Sequence, residues 1–426
     1  MVIHVVAQGE TLQSIADEYG VSASRLIEDN DITNPNDLAV GQAVLIVYPN
    51  QVHTVQEGDS LSGIAQNYGI TEIQLLRNNP FLADREYIYP GESLIIDFTD
   101  EKAGNITTNG YAYPYIDRSI LKKNLLYLTY LSIFNYSITE SGELNNIEDE
   151  ELINLAKSYG VAPIMVISNV NPAGQLDRET LHNILADETV RNNLTLSVLN
   201  TLNAKGYYGL NIDLPYIRSE DRQLYLEYIT DLVVRVKSSG YKIFFTINPN
   251  TFEEDGAPGA AETVDLTELG RISDGIILLS YTWGSISEIP IEAIPLYILE
   301  VLLQYTLTQI PPEKITIGIT SIGYIWELPY LLGTSRANSI SNTNAVQLAA
   351  DVNAVINYNS GNLASYFYVI DDKDYLVYFH DVRGVDRSLE VMTQYGLTGV
   401  GIWNVMYYLA QTFTLINAKF NIENAI

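Results

Sequence analysis

Cysteine is absent from the 426 residues, which excludes disulfides, thiolate nucleophiles and Cys-ligated metals. The absence leaves the compartment open, since a Cys-free chain suits cytosol and exterior alike. Histidine is nearly as scarce: His4, His53, His182 and His380 are scattered along the chain. A His-rich metal site is therefore not expected, nor is any cofactor. Basic residues are few, 23 against 52 acidic, for a formal net charge of -29. Phosphate binding needs Lys and Arg in excess, so nucleic acid is not an expected partner, and anionic membrane surfaces are disfavoured for the same reason. Neutral glycans and cationic partners stay open. No stretch reaches the roughly 18 uninterrupted apolar residues of a membrane-spanning helix. The opening Met1–Val6 has neither a basic n-region nor an apolar h-region of signal length, so no signal peptide is expected. Tryptophan occurs 3 times against 31 tyrosines; tyrosine-rich surfaces suit sugar stacking but serve equally as core filler.

What is present argues for a folded chain. A hydrophobic share of 47% with 18% charged residues supports a large core. The length suits a barrel plus one or two modules. An internal repeat opens the chain. His4-Val5-Val6-Ala7-Gln8-Gly9-Glu10-Thr11-Leu12 is matched by His53-Thr54-Val55-Gln56-Glu57-Gly58-Asp59-Ser60-Leu61. Ile15-Ala16 returns as Ile64-Ala65, Tyr19-Gly20 as Tyr68-Gly69, Asn30 as Asn79 and Gly41 as Gly91. Each unit reads strand, helix, helix, strand over about 45 residues. Thr11 and Ser60 stand where a helix N-cap belongs. The pattern V-x-x-G-[DE]-[ST]-L-x-x-I-A, an Asn-rich turn and G-[QE]-x-L-x-I, in tandem, resembles the LysM domain twice over. The resemblance implies binding of N-acetylglucosamine-containing polymers such as peptidoglycan. The groove would lie between Gly9–Leu12 and Ile32–Pro35, and between Gly58–Leu61 and Asn79–Leu82. Its expected glycan contacts are Gly9, Thr11, Leu12, Asn34, Gly58, Ser60, Leu61 and Asn79. Gly9 and Thr11 could equally do no more than build the turn and cap. Two weak sites on one chain raise avidity for a polymer.

The expected boundaries are 1–49 and 50–98 for the two modules, 99–106 for a polar joint and 107–426 for the remainder. In the remainder, short apolar strands alternate with amphipathic helical patterns, which argues a parallel sheet. Eight strands are expected, starting near Thr107, Tyr127, Ala162, Tyr207, Tyr241, Asp274, Ile315 and Gly399. That fits an α/β fold: a TIM (β/α)8 barrel with a small α+β insertion, preceded by two βααβ modules. The insertion is expected at about 366–380, around Asp371-Asp372-Lys373-Asp374. The alternative, a doubly wound open sheet, lacks a glycine-rich phosphate loop after the first strand. In a barrel the strand C-termini face the active-site mouth. Phe134, Asn211, Asp213, Trp283, Trp326 and Trp403 fall there, so all three tryptophans gather where aromatic faces could hold a sugar ring, or fill a barrel end.

Residues 107–426 resemble the glycoside hydrolase family 18 domain of bacterial spore cortex-lytic enzymes. The matching stretches include Asn109–Pro114, Leu128–Phe134, Ala162–Asn169, Gln309–Ile315 and Tyr395–Val400. The resemblance implies retaining, substrate-assisted hydrolysis beside an N-acetylglucosamine, an exception to the two-carboxylate scheme. It gives Asp213 the role of orienting the acetamide and Tyr281 that of holding it. It matches Asn211 and Trp403 to pocket positions, and Phe134, Trp283 and Trp326 are expected as substrate contacts from their place at the strand ends. The glutamic acid that protonates the leaving oxygen is replaced by Pro215, which has no proton to give. Three further acidic places of the spore branch hold Thr282, Ile325 and His380. Glu220 and Asp221 match a turn of the family and are expected to cap the next helix; His380, which can titrate near neutral pH, is the other substitute acid. The resemblance implies a spore outer-layer location reached from the mother cell, with spore coat proteins among the partners.

Overall fold

The computed structural model describes residues 1–426 except 84, 86, 100, 172–175, 215–216, 248–264, 280–295, 332–333 and 360–362, together with the side chains of 296–298. The first module is β1 (Val2–Val5), α1 (Leu12–Tyr19), α2 (Ala23–Asn30) and β2 (Ala43–Ile46). The second repeats it as β3 (Pro49–Thr54), α3 (Leu61–Tyr68), α4 (Glu72–Asn78) and β4 (Ser93–Phe98). Local chemistry sets these helices. Thr11 Oγ1 accepts from the Ser14 N–H and Ser60 Oγ from the Gly63 N–H, each meeting an orphan donor of the first turn. Gly20 and Gly69 then end α1 and α3 in the left-handed conformation. Each module has its own small core, with Leu12, Ile15, Ala16 and Leu26 under Val44 and Ile46 in the first.

Every residue of β2 is buried, because the strand has two covered faces. Val44 and Ile46 point into the module, while Ala43, Leu45 and Val47 join the main core of the barrel. Ile95 and Phe98 of the second module do the same. Polar contacts fasten the seam. Arg77, 6% exposed, donates to the Leu126 and Ile422 carbonyls, and the Tyr127 hydroxyl donates to the Arg77 carbonyl at 2.7 Å. The modules are packed onto the barrel and not strung from it.

The barrel strands are β5 (Asn105–Ala112), β6 (Tyr130–Ser137), β7 (Ala162–Ser168), β8 (Gly209–Asp213), β9 (Lys242–Ile247), β10 (Gly275–Leu278), β11 (Ile315–Thr320) and, after an insert, β17 (Gly399–Trp403). All pair in parallel, and β17 closes the ring on β5 through Gly399–Thr107 to Ile402–Gly110. A short terminal strand, β18 (Asn421–Ile422), lies outside β5. The eight starts agree with the sequence reading to within three residues.

The insert is larger than the expected 366–380. It comprises β12 (Ile322–Leu328), β13 (Asn338–Ser341), a helix at Asn342–Asp351, β14 (Asn357–Tyr358), β15 (Ala364–Ile370) and β16 (Lys373–Phe379). The strands form an antiparallel sheet in the order β13-β12-β16-β15-β14. The period-2 run Gly323–Trp326 reads as a continuation of barrel strand seven, but Ser321 breaks the run and β12 pairs with β16 instead. One sheet face packs on the helix through Tyr366, Val377 and Phe379 against Ala345 and Ala349. The other holds Trp326, Leu376 and Ala337.

The first module also docks on this insert, and there the repeat loses its symmetry. The Ile356 N–H donates to the Val40 carbonyl at 2.8 Å. A Cβ on Gly41 (φ +84°) would stand 1.9 Å from the Ile356 carbonyl oxygen, whereas one on its counterpart Gly91 (φ +93°) would meet nothing within 4 Å. Both alanine substitutions carry the same left-handed strain, about 1 kcal/mol. Gly41→Ala must in addition push the module off the insert, for a total of about 2–4 kcal/mol. Chemical denaturation of the two variants beside the wild type should separate them by at least about 1 kcal/mol; equal losses would mean that the docking contributes no stability.

Candidate functional site in the barrel mouth

Asp213 is the last residue of β8, with its side chain half-buried at the C-terminal end of the barrel. Burial pushes its carboxyl up from the ordinary 3.8 to about 7. Its charge is felt by Tyr111, Tyr113 and Tyr225, whose hydroxyls burial raises first; Tyr113 is pushed up to about 12. Two residues earlier on the same inward face, Asn211 is fully buried. Its Nδ2 donates to the Tyr111 hydroxyl at 2.9 Å and its Oδ1 accepts from Thr246 Oγ1 at 3.0 Å, while Tyr111 and Thr246 share a 2.9 Å bond. Asn211 is thus a polar brace beneath Asp213, its amide committed within the barrel, and in this structure it presents nothing to a ligand.

Phe134 ends the regular part of β6 and Trp403 ends β17, and the structure brings them together. Their rings lie 5.2 Å apart at 88°. Tyr111 sits 5.4 Å from Trp403, and Tyr113 is 5.4 Å from Phe134 and 6.3 Å from Trp403. Tyr115 stacks on Tyr113 at 5.3 Å and 21° and is 75% exposed. This wall continues into a cleft of about 600 Å³ lined by Tyr113, Tyr115, Phe134, Asn135, Asn145 and Asn171, with Arg118 and Glu148 also on its walls. Aromatic faces beside amides and a few charged groups suit a carbohydrate. Tyr111 and Tyr113 were not singled out in the sequence, although their alternation at the end of β5, Asn109-Gly110-Tyr111-Ala112-Tyr113, is the available signal.

Trp326 is not part of this wall. It is 2% exposed, packed with Leu376 and Ala337 inside the insert, 5.5 Å from Tyr330. Its ring has no free face for a sugar. Pro215, Tyr281, Thr282 and Trp283 lie outside the described residues. Of the three substitute acids, Glu220 is exposed on the turn Ser219–Asp221, and the other two are engaged elsewhere. Asp221 precedes the helix Arg222–Ser238 but makes no side-chain cap; its carboxylate is held by His182 Nδ1 at 2.8 and 2.9 Å. His380 has its pKa lowered to about 4 by burial, so it is neutral at pH 7, and it lines a cavity against the first module.

In the modules, Gly9, Thr11, Gly58 and Ser60 are exposed, Leu61 and Asn34 are partly so, and Leu12 is buried in the module core. The two hydroxyls also cap their helices, as above. Asn79 is 0% exposed: its amide donates to the Leu75 and Ile95 carbonyls and accepts from the Ile95 N–H. It clasps helix to strand, as Asn30 does with Leu26 and Leu45, and leaves no polar atom for a glycan. A second repeated device escaped the sequence reading. His4 bridges Tyr19 and Glu10 at 3.1 and 2.8 Å, and His53 bridges Tyr68 and Asp59 at the same distances. Each carboxylate also accepts a backbone N–H of its own loop, from Ala7 or Gln56, which fixes the loop that carries Gly9 or Gly58. The matched His, acid and Tyr spacings of the repeat were its signal.

Residues 124–407 match the family model for glycosyl hydrolases family 18, and residues 4–47 and 53–97 each match that for the LysM domain. The chain belongs to glycosyl hydrolases family 18. A cortical fragment-lytic enzyme of Bacillus subtilis is 31% identical over 432 residues, covering 99% of each chain, and one of Bacillus anthracis is 30% identical over 431 residues, 99% of this chain and 98% of that one. The crystal structure of the Bacillus cereus spore cortex-lytic enzyme SleL superposes with a TM-score of 0.80 at 27% identity, over 100% of this chain and 99% of that one. A chitinase of Chromobacterium violaceum shares the barrel fold alone, with a TM-score of 0.65 at 18% identity over 73% of this chain and 99% of that one. The likeness to these relatives thus spans the two modules, the barrel and its insert of this chain.

Within the family 18 barrel, the raised pKa of Asp213 has a consequence for stability. An unfolded chain ionises this aspartate from about pH 4, whereas the folded chain keeps the proton until about pH 7. The native state binds more protons across that window, so the contribution of Asp213 to stability falls as pH rises from 4 to 7. Asp213→Asn removes this pH dependence. Thermal denaturation should show the variant gaining about 1–3 kcal/mol on the wild type between pH 4 and pH 8, after allowance for the solvent that reaches the carboxyl. A difference constant with pH would place the carboxyl in an ordinary environment.

Proposed function

We propose that this protein binds peptidoglycan, or another N-acetylglucosamine-containing glycan, in the outer layers of the spore, and that its family 18 barrel recognises the sugar without hydrolysing it efficiently. The LysM modules supply attachment to the polymer, with Gly9, Thr11, Gly58 and Ser60 on exposed loops. The barrel supplies a second sugar surface: the partly exposed Trp403 and Tyr113, backed by the buried Phe134 and Tyr111, beside Asp213. Asp213 is suited to accept a hydrogen bond from an acetamide N–H and to steady the positive charge of a cyclised intermediate. Tyr281 and Trp283 belong to the same proposed pocket.

One observation carries the reading. The residue two beyond Asp213 is Pro215, so the place of the general acid has no proton. A general acid must come within about 3 Å of the departing oxygen, and its loss typically costs about 10²–10⁴-fold. Among the described residues no other carboxylate perturbs Asp213, Glu220 is exposed on the turn after it, Asp221 is held by His182, and His380 is neutral and lines another cavity.

A second reading, an active cortex-fragment-lytic N-acetylglucosaminidase, is favoured by identity of 31% to a cortical fragment-lytic enzyme over 99% of both chains. The two readings part on substitution. Wild type and Pro215→Glu are assayed side by side on cortex fragments for new reducing ends. The proposal expects the wild type to be retained on peptidoglycan and to release almost nothing, and the variant to gain about 10²-fold or more. If the variant gains nothing, the lost acid is not the only block and the departure at Thr282 is the next to be reversed. Appreciable wild-type turnover that Asp213→Asn abolishes would establish the second reading.

A further inference from the structure

The sheet of the insert has one edge left open. β15 is paired along its whole length with β16, from Ala364–Phe379 to Ile370–Lys373, but β14 pairs with it only at Ser365 and Ala364. The chain before β14 is in line to continue this pairing past Tyr366. It turns away instead to the first module, where the Ile356 N–H donates to the Val40 carbonyl. Among the described residues, no other strand takes its place beside 366–370. The ladder shows which backbone groups this leaves open. The two-residue turn Asp371-Asp372, with φ of 51° and 58°, closes on Ile370 and Lys373, so Ile370, Tyr368 and Tyr366 aim their backbone groups at β16. Phe367 and Val369 aim theirs outward. The Asn359 N–H, which donates to the Leu363 carbonyl on the β14 side, sets the same phase. The side chains of Phe367 and Val369 are open as well, at 65% and 67% exposed.

We propose that this edge takes an extended segment of a partner protein as an added strand, antiparallel to β15 and in line with β14, with basic residues at the segment's N-terminal end. The proposal is independent of the glycan reading. Open edges are normally protected by charge, by proline, by a bulge or by being short. Ala364-Ser365-Tyr366-Phe367-Tyr368-Val369-Ile370 has no charged residue, no proline and no glycine. The opposite edge of the same sheet, β13, is only four residues long and polar, Asn338-Ser339-Ile340-Ser341. β3 in the second module opens on Pro49 and carries two register breaks. β15 has none of these defences. Its aromatic and β-branched residues pair well across strands, and outward main-chain groups beside alternate exposed side chains are what an added strand uses.

Charge selects the occupant. Asp371, Asp372 and Asp374 are exposed at the turn that ends β15, and the one basic residue among them, Lys373, is paired with Glu327 at 2.8 Å. An antiparallel strand in the place of the residues before β14 starts beside this turn, so its first residues meet the acids. Its apolar residues then lie opposite Phe367 and Val369. A second copy of this chain brings a net charge of -29 and no basic residue between 361 and 372, so it is repelled. A segment opening on Lys or Arg is attracted.

Fluorescence anisotropy of a labelled Lys-Lys-Thr-Val-Thr-Val-Thr peptide titrated with the whole protein tests this, together with hydrogen exchange on the complex. Binding with slowed exchange at 364–370 is expected. It should weaken at least about tenfold when alternate backbone nitrogens of the peptide are methylated, and at least about threefold when its lysines are exchanged for glutamates. Val369→Pro removes an outward N–H and leaves the ladder to β16 intact, and it should weaken binding at least about tenfold. Val369→Lys, a defence that natural edges use, should act in the same direction without altering the backbone, and it serves if the proline variant does not fold. No binding, protection confined to other segments, or binding indifferent to methylation and to both substitutions overturns the proposal. A wild-type dimer in sedimentation that Val369→Pro separates would also overturn it, and would make a second copy the occupant.

Discussion

The barrel closes where Gly399–Ile402 pair with Thr107–Gly110, and this seam sets the rest of the site. Closure places the end of β17 beside the end of β5. Trp403 therefore lies against Tyr111 and Tyr113, and Phe134 from the next strand completes the wall. Tyr111 reaches across the interior to Asn211 and Thr246, which ties β5 to β8 and β9 and steadies the strand that ends in Asp213. The aromatic wall and the carboxyl are thus held by one hydrogen-bonded layer. A half-buried carboxyl with a pKa of about 7 is costly to ionise in an empty pocket, and a bound acetamide N–H would offset that cost.

The same molecule is solid well beyond the barrel. Both modules bury one face of a two-stranded sheet on the barrel core. The first also docks through Gly41 on Ile356 of the insert. A glycan held by the modules would meet a fixed array of surfaces, with no flexible tether between them. Rigid spacing favours a long polymer whose repeat matches the array, since the entropy of ordering the modules is met when the chain folds.

Much of this was legible in the sequence because it depends on local patterns. The repeat His4–Leu12 and His53–Leu61 dictated two modules, and the strand starts followed from apolar runs between helical patterns. Phe134, Trp403 and Asp213 could be placed at the mouth because a barrel strand delivers its last inward residue there. The misses share a different cause. Trp326 was assigned to the mouth because β12 continues the strand pattern past Ser321; only long-range pairing with β16 shows that it belongs to the insert. Asn79 and Asn211 are polar residues at plausible positions whose amides prove to be consumed by Ile95, Tyr111 and Thr246. Sequence spacing does not reveal whether a side chain is already partnered. The difference between Gly41 and Gly91 was likewise hidden, since the repeat makes them equivalent and only docking separates them.

Recognition of the sugar persists in this proposal where Pro215 leaves no acid. Its most direct test is a single-turnover experiment with the wild-type protein in excess over reduced cortex fragments, the bound fraction then being analysed by mass spectrometry. The account predicts fragments recovered intact from the protein, with retention lowered by Trp403→Ala. Cleaved fragments appearing within minutes, and vanishing in Asp213→Asn, would contradict it.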